Sequence, residues 1–192
     1  FDYAVRSNVR TGLNLFYYRW NDIIRFVQDP FPATTRTAQN TGEQKGYGLE
    51  WVLSWDINEQ LRLLGNYAFQ HATDEDTDSD AANSPRHQLY LRTDWRFQPN
   101  WSLHGQLNHI LDRERTSGDP RSNIDDYTTV DLILRHKGMA PGLEVAGSIR
   151  NLFDVDAREP SLNESLPTGA ILIPNDLPLA ERSAFIELRY HW

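Results

Sequence analysis

Cysteine is absent from this chain. That excludes a disulfide framework, a thiolate metal site and a cysteine nucleophile. Long apolar runs are absent too: no stretch approaches the ~18 residues that a transmembrane helix needs. Positive charge is scarce, with 19 Lys and Arg against 27 Asp and Glu and a formal net charge of −8. A nucleic-acid partner calls for the opposite balance. No His-Glu-x-x-His run occurs, so that zinc-hydrolase pattern is missing. The chain opens on Phe1, with neither Met nor a signal segment before it. It reads as a mature or internal fragment.

What is present is aromatic and alternating. The 192 residues suit one domain, and 39% of them are apolar. Six Trp and eight Tyr stand out. The mean hydropathy is only −0.62. A transmembrane β-barrel tolerates that value, because only alternate residues face lipid and the outer loops are polar. The final segment shows the pattern best. Ala184, Ile186, Leu188, Tyr190 and Trp192 fall on one face, and Phe185, Glu187, Arg189 and His191 on the other. The chain thus ends within a strand on a bare aromatic, as a closing barrel strand does.

Nine such segments are predicted, near 8–20, 22–28, 47–56, 61–70, 88–97, 101–109, 129–135, 143–150 and 184–192. In the third to sixth, Leu49, Trp51, Leu53, Leu61, Leu63, Tyr67, Leu89, Leu91, Leu103 and Leu107 form the apolar, outward set. The first segment is apolar on both faces at its end, so its parity stays open. The connections alternate in length. Short turns are expected near Asn21, Glu59, Pro99 and Ala140, and long loops at 29–45, 72–85, 113–125 and 152–182. Loops centred on Asp76, Gly118 and Pro167 should gather at one end and the short turns at the other. This sorting is the layout of an outer-membrane barrel. A soluble sandwich has no reason for it.

Tryptophan gives an independent sign. Trp20, Trp55, Trp95 and Trp101 lie close to expected short turns, and Trp192 ends a strand descending to the same rim. Only Trp51 sits mid-strand. This is the distribution of a periplasmic aromatic girdle, since indole favours the boundary of lipid and water. The opposite face carries Glu50, Asp56, Arg62, Arg92, Asp94, Arg96, Asp131, Arg135, Glu144, Arg150, Glu187 and Arg189. Mixed charges on adjacent strands suit cross-strand pairing around a wet or plugged lumen. Single-chain bacterial barrels have even strand numbers, so nine strands imply more upstream.

Several runs resemble one family. Asn151-Leu152-Phe153-Asp154 is similar to its Asn-Leu-Phe-Asp after the penultimate strand. Asn40-Thr41-Gly42 with Gly46-Tyr47-Gly48-Leu49-Glu50 resembles its Asn-x-Gly and Gly-x-Glu lead into a strand. Leu64-Gly65-Asn66-Tyr67-Ala68-Phe69 and Ser84-Pro85-Arg86-His87 look like further strand and loop motifs of the same family. Glu181-Arg182 stands where the family has Gly-Arg, and Tyr190-His191-Trp192 replaces a terminal Phe. Across the whole chain these runs resemble the C-terminal barrel part of TonB-dependent outer-membrane receptors.

The resemblance implies an all-β fold: about nine C-terminal strands of a 22-stranded transmembrane antiparallel barrel, with the N-terminal plug and earlier strands outside residues 1–192. It implies import of a scarce ligand, above all a ferric siderophore, with haem, cobalamin or sugars as other family substrates. It implies energy from the TonB complex through the missing N-terminal region. It also implies that the closing strand, with Ile186, Leu188, Tyr190 and Trp192, is read by the barrel assembly machinery. Outer-membrane lipid, lipopolysaccharide and a small-molecule ligand are the expected partners. No catalytic, cofactor or metal residue is expected.

Other constellations carry less. Asp74–Asp80 is rich in carboxylates, but a calcium loop of the EF-hand type needs Gly at its sixth and Glu at its twelfth position. Neither is there. Ser102 and His104 share a face, a spacing that occurs in many strands. Ala170-Ile171-Leu172-Ile173 in the longest loop suggests a short strand or an apolar ligand contact. Two rival readings share the alternation: a small complete outer-membrane barrel or porin, and a soluble β-sandwich binding module.

Overall fold

The computed structural model describes residues 2–32, 35–81, 84–115, 119–161 and 173–192. Among these residues the chain forms β1 (Asp2–Arg6), β2 (Val9–Gln28), β3 (Arg36–Asn58), β4 (Leu61–Asp74), β5 (Ser79–Asp80) and β6 (Pro85–Gln98). β7 (Trp101–Arg113), β8 (Tyr127–Ala140), β9 (Leu143–Arg150), β10 (Arg158–Glu159), β11 (Leu177–Pro178) and β12 (Ser183–Tyr190) follow. One antiparallel sheet runs β1-β2-β3-β4-β6-β7-β8-β9-β12, with β5 appended to β4. A small second sheet pairs β10 with β11. Neighbours in sequence are neighbours in space throughout the wall, a simple meander. A sandwich would need two large facing sheets, and the described residues form only one.

The wall path has nine strands, but not the nine read from the sequence. The segments 8–20 and 22–28 are one strand, β2. Asn21-Asp22 is a polar pair and looks like a turn signal. Instead both flanks pair with the same neighbour: Trp20 opposes Gln44 and Ile23 opposes Gly42, with the register slipping between them. This is a β-bulge, with Asp22 at φ 58° in the left-handed region that aspartate tolerates. The expected loop 29–45 is mostly β3, and the real connection is the tip between Gln28 and Arg36. The missing ninth strand is β1, too short and too near the start to show a period. β2 and β3 have 20 and 23 residues. About 9–11 tilted residues cross a bilayer, so this hairpin projects well past the other strands at its loop end.

The turns sort as expected once the bulge is removed. Ser7-Asn8, Glu59-Gln60, Pro99-Asn100 and Pro141-Gly142 lie at one end. At the first, the Asn8 amide donates to the Asp56 carbonyl at 2.9 Å. At the second, the Asn58 side-chain oxygen accepts from the backbone N–H of Gln60 and Leu61 at 2.8 and 2.9 Å. Gly142 sits at φ +74°, and a Cβ there would strike the His191 carbonyl. The strand ends that lead into the connections 29–35, 75–84, 114–126 and 151–182 all lie at the opposite end. Gly118 and Pro167, the expected centres of two of these loops, lie outside the described residues, as do three residues of the Ala170–Ile173 run.

Register settles the faces. Trp51 opposes Tyr67, which opposes Leu89. Leu91 opposes Leu107, and Leu103 opposes Leu134. These residues share one surface. Leu13, Leu15 and Tyr17 join it through Trp51, Leu49 and Tyr47, which fixes the parity left open by the sequence. The other surface is concave: Asp56, Asp94, His104, Arg135, Glu144 and Arg189, from six strands, line one concavity. Arg62 and Arg96 line it too, and Arg92 stands beside it with His104 and Arg135.

Candidate ligand interface

Three features stand along the concave face between the short-turn end and the loop end. The lowest is a band of charge. Arg62 Nε donates to Asp56 at 2.5 Å across the β3–β4 turn. Arg92 donates to Asp94 at 3.0 and 3.1 Å. Arg135 pairs with Glu144, and Lys137 Nζ lies 3.6 Å from the same carboxylate. The Gln106 amide donates to Asp131 at 2.7 Å. Period two places these groups inward, and antiparallel pairing sets opposite charges side by side.

Within this band His104 links Asp94, 2.5 Å from Nδ1, to Ser102, 3.2 Å from Nε2. The order matches an acyl-transfer triad. Such chemistry also needs converging N–H donors for an oxyanion. Around Ser102 and His104 the backbone belongs to the β6–β7 and β7–β8 ladders, so its donors are committed to neighbouring strands. The chain of side chains serves as a polar cross-strand tie.

The second feature is a run of rings. Phe16, Tyr18 and Trp20 stand opposite Gly48, Gly46 and Gln44. Trp20 therefore lies at the loop end and on the concave face. Its expected place in a girdle beside a short turn is corrected, because the turn that would have put it there is the bulge after it. Trp55 and Trp95 stand on the outward face near the short turns, opposite Leu63 and Leu61. Trp101 follows the Pro99-Asn100 turn, and its ring meets that of His136 at 4.4 Å, tilted by 58°. Ile186, Leu188 and Tyr190 share the outward face of β12, and the ring of Trp192 lies 6.4 Å from that of Tyr190.

The third feature joins the loops 114–126 and 151–182. Arg113 leaves β7 with its side chain 0% exposed. Its guanidinium donates to the carbonyls of Arg158 and Asp125 at 2.6 and 2.5 Å, and lies 4.8 Å over the Tyr127 ring. Arg115 grips Asp176 with both Nη atoms, at 2.8 and 2.5 Å. Arg121 reaches Asp119 at 2.6 Å and the Ser161 hydroxyl at 2.5 Å. Hydrogen bonds from Arg121 hold the Asp119 carboxyl down to about 2. Arg115 likewise lowers that of Asp176. The fork geometry of arginine suits such bidentate grips.

The Asn151–Asp154 run anchors this cluster. Asn151, at φ 49°, exchanges hydrogen bonds of 2.9 Å with the backbone of Val155. Its own N–H donates to Asp131 at 2.8 Å. Asp154 accepts from the Arg182 N–H at 3.0 Å, so the two ends of the longest loop are tied. Asp74, part of the acidic run, accepts from the N–H of Asp76 and Thr77 and pairs with Arg25 at 2.6 Å. Its oxygens are spent on the turn and that arginine.

Comparison with known proteins follows the same outline. The model of the TonB dependent receptor-like β-barrel matches residues 1–152. The chain belongs to that family. The metal-pseudopaline receptor CntO of Pseudomonas aeruginosa is 33% identical over 142 residues, which cover 69% of this chain and 20% of the relative. This chain therefore spans about a fifth of that relative's length. A ferric enterobactin receptor of P. aeruginosa superposes with a TM-score of 0.76 at 17% identity, covering 98% of this chain and 29% of that one. The ferric-catecholate import receptor Fiu of E. coli gives 0.70 at 18%, covering 97% and 26%. The fold is thus part of an outer-membrane β-barrel, and its relatives are receptors and transporters.

Proposed function

We propose that this chain is wall and outer-loop material of a TonB-dependent importer of chelated metal, with a ferric siderophore as the leading cargo. One observation carries the reading: a family-matched barrel wall whose concave face is charged, below a loop end ordered by arginine forks. The 33% identity to a metal-pseudopaline receptor supports a metal chelate as the ligand class. In this reading the loops capture the chelate and the lumen conducts it, with energy from the TonB complex through a region outside this chain. Trp55, Trp95 and Trp101 seat the wall at the periplasmic boundary, and lipid with lipopolysaccharide surrounds it.

The closing strand would be read by the assembly machinery as an added strand, with Ile186, Leu188, Tyr190 and Trp192 as its alternate side chains. Trp192→Ala should lower the membrane level of the full receptor while inserted receptor keeps its ligand affinity. Normal membrane level with lost binding would make Trp192 a ligand residue instead.

Uptake tests the import reading. The full receptor is deleted and restored under metal limitation, and labelled ferric siderophores, other metal chelates, haem and cobalamin are supplied. Energy-dependent uptake of a chelate should vanish and return with the receptor. Passive, unselective flux through the restored protein would favour a porin.

A further inference from the structure

β3 outlasts its later neighbour. β4 ends at Asp74, opposite Gln44, while β3 extends beyond that point as far as Arg36. On one side this stretch pairs with Ile23–Gln28 of β2. On the other side no strand meets it among the described residues. The chain leaving β4 turns away beneath it at Glu75, whose N–H donates to the Glu43 carbonyl at 3.0 Å. The open edge lies in the part of the hairpin that projects past the other strands, and residues 36–41 are all exposed.

The backbone of this edge is free to pair. Thr35 accepts from the Asp29 N–H at 3.0 Å across the hairpin. Period two then turns the N–H and C=O groups of Arg36, Ala38 and Asn40 to the open side. Exposed edges are normally blunted by lysine, proline or a bulge. From Arg36 to Thr41 there is neither lysine nor proline, and the register slips only at the base, between Gln44 and Asn40. The hairpin is held at both ends. Asp29 accepts from the Thr35 and Thr37 hydroxyls at 2.6 Å at the tip, and Arg25 pairs with Asp74 at 2.6 Å at the base. An edge fixed in advance loses little freedom on binding.

A row of free backbone donors and acceptors fits another extended backbone. Charge sets its direction. Arg36 stands at the outer end of the edge, and Asp78 in the turn below its inner end. Neither side chain forms a salt bridge or hydrogen bond among the described residues. The other carboxylates of that turn and its neighbour are paired: Glu43 with Arg19, Glu75 with Lys45, Asp76 with Arg25. We propose that the Arg36–Gly42 edge of β3 is a docking site for an extended peptide segment of another protein, added as an antiparallel strand. β3 runs inward from Arg36, so the added strand runs outward. Its N-terminal end carries a cationic residue beside Asp78, and its C-terminal end a carboxylate beside Arg36. This binding is separate from import and does not rest on it.

The test uses the full-length receptor in detergent and a fluorescent peptide, Lys-Thr-Val-Thr-Val-Thr-Glu. Its anisotropy should saturate. A twin N-methylated at the interior amides keeps the side chains and loses the donors, and should bind about tenfold more weakly. The end-swapped peptide Glu-Thr-Val-Thr-Val-Thr-Lys should bind about threefold more weakly, and Arg36→Glu with Asp78→Lys should reverse that order. Ala38→Pro removes one edge donor and leaves the β2 ladder, so it should cost about five- to tenfold. If that variant does not assemble, the N-methylated twin carries the test on the unaltered receptor. No saturable binding up to about 1 mM, binding indifferent to N-methylation, or an unreversed order in the charge-swapped receptor overturns the site.

Discussion

In the wall, ionic pairs range from wet to half-covered: Arg62 and Asp56 remain 52% and 46% exposed in their salt bridge, Arg135 and Glu144 21% and 11%. In the loop cluster, Arg113 is 0% exposed, and Arg121 and Asp119 keep only 12% and 2%. Buried apolar residues are scarce throughout, and two of them, Ile124 and Ala157, lie in the loops. The wall is held by its backbone ladder and by lipid on its outward face, so its side chains need not pack inward. The loops have only the two-residue β10–β11 ladder and no lipid. They hold together by giving buried carbonyls and carboxylates to arginine forks, which makes them depend on a few side chains.

The sharpest break of this contrast is Arg113→Ala. It strands the carbonyls of Arg158 and Asp125 and leaves Glu159 with the Tyr127 hydroxyl alone. Each of the two stranded carbonyls costs about 1–3 kcal/mol. Hydrogen exchange should rise locally around 119–126 and 157–160, while strands β3 to β8 keep their protection. Equal loosening of the wall would show that the two regions are one unit.

The converse change is Leu91→Arg, on the outward face. A charge near the bilayer midplane costs about 2–4 kcal/mol. The assembled fraction in reconstituted lipid should fall, with the loop cluster unchanged in what does assemble. Arginine already occupies position 92 next door, facing the lumen.

Acid should separate the regions by another route. The folded-state values of Asp119 and Asp176 are depressed, to about 2 for Asp119. Their stabilisation is therefore complete above the unfolded value near ~3.9 and is lost as pH falls through the folded one. Exchange protection of the loop cluster should fade between about pH 4 and pH 2, while the ladders persist. Smallest of all is Asp56→Asn, which weakens an exposed pair worth at most about 1 kcal/mol. Its effect on barrel unfolding should be barely measurable.

The wall was legible because period two is written in most of its strands, β1 and the start of β2 excepted. From Tyr47 to Trp55 and from Leu61 to Phe69, faces could be assigned by counting. Legibility failed where a local signal had two meanings. Asn21-Asp22 reads equally as a turn or a bulge, and only the shared partner β3 decides, which misplaced Trp20. The loop cluster left no period to count. Arg113, Arg115 and Arg121 find carboxylates and carbonyls up to 61 residues away, a separation no local pattern encodes. The run of Phe16, Tyr18 and Trp20 had a faint signal, an aromatic at every second position paired with Gly46 and Gly48, but it needed the register of β2 on β3.

The most direct test uses single cysteines: these 192 residues hold none, and any elsewhere in the full receptor is first replaced by serine. Single cysteines placed in turn at Leu89, Tyr90, Leu91, Arg92 and Thr93 of β6 can each carry a nitroxide in the full, lipid-embedded receptor. Accessibility to oxygen, which partitions into lipid, should peak at 89, 91 and 93. Accessibility to a water-soluble nickel reagent should peak at 90 and 92. Oxygen maxima at 90 and 92, or no alternation along the strand, would contradict a wall with lipid on its odd face and a charged lumen on its even one.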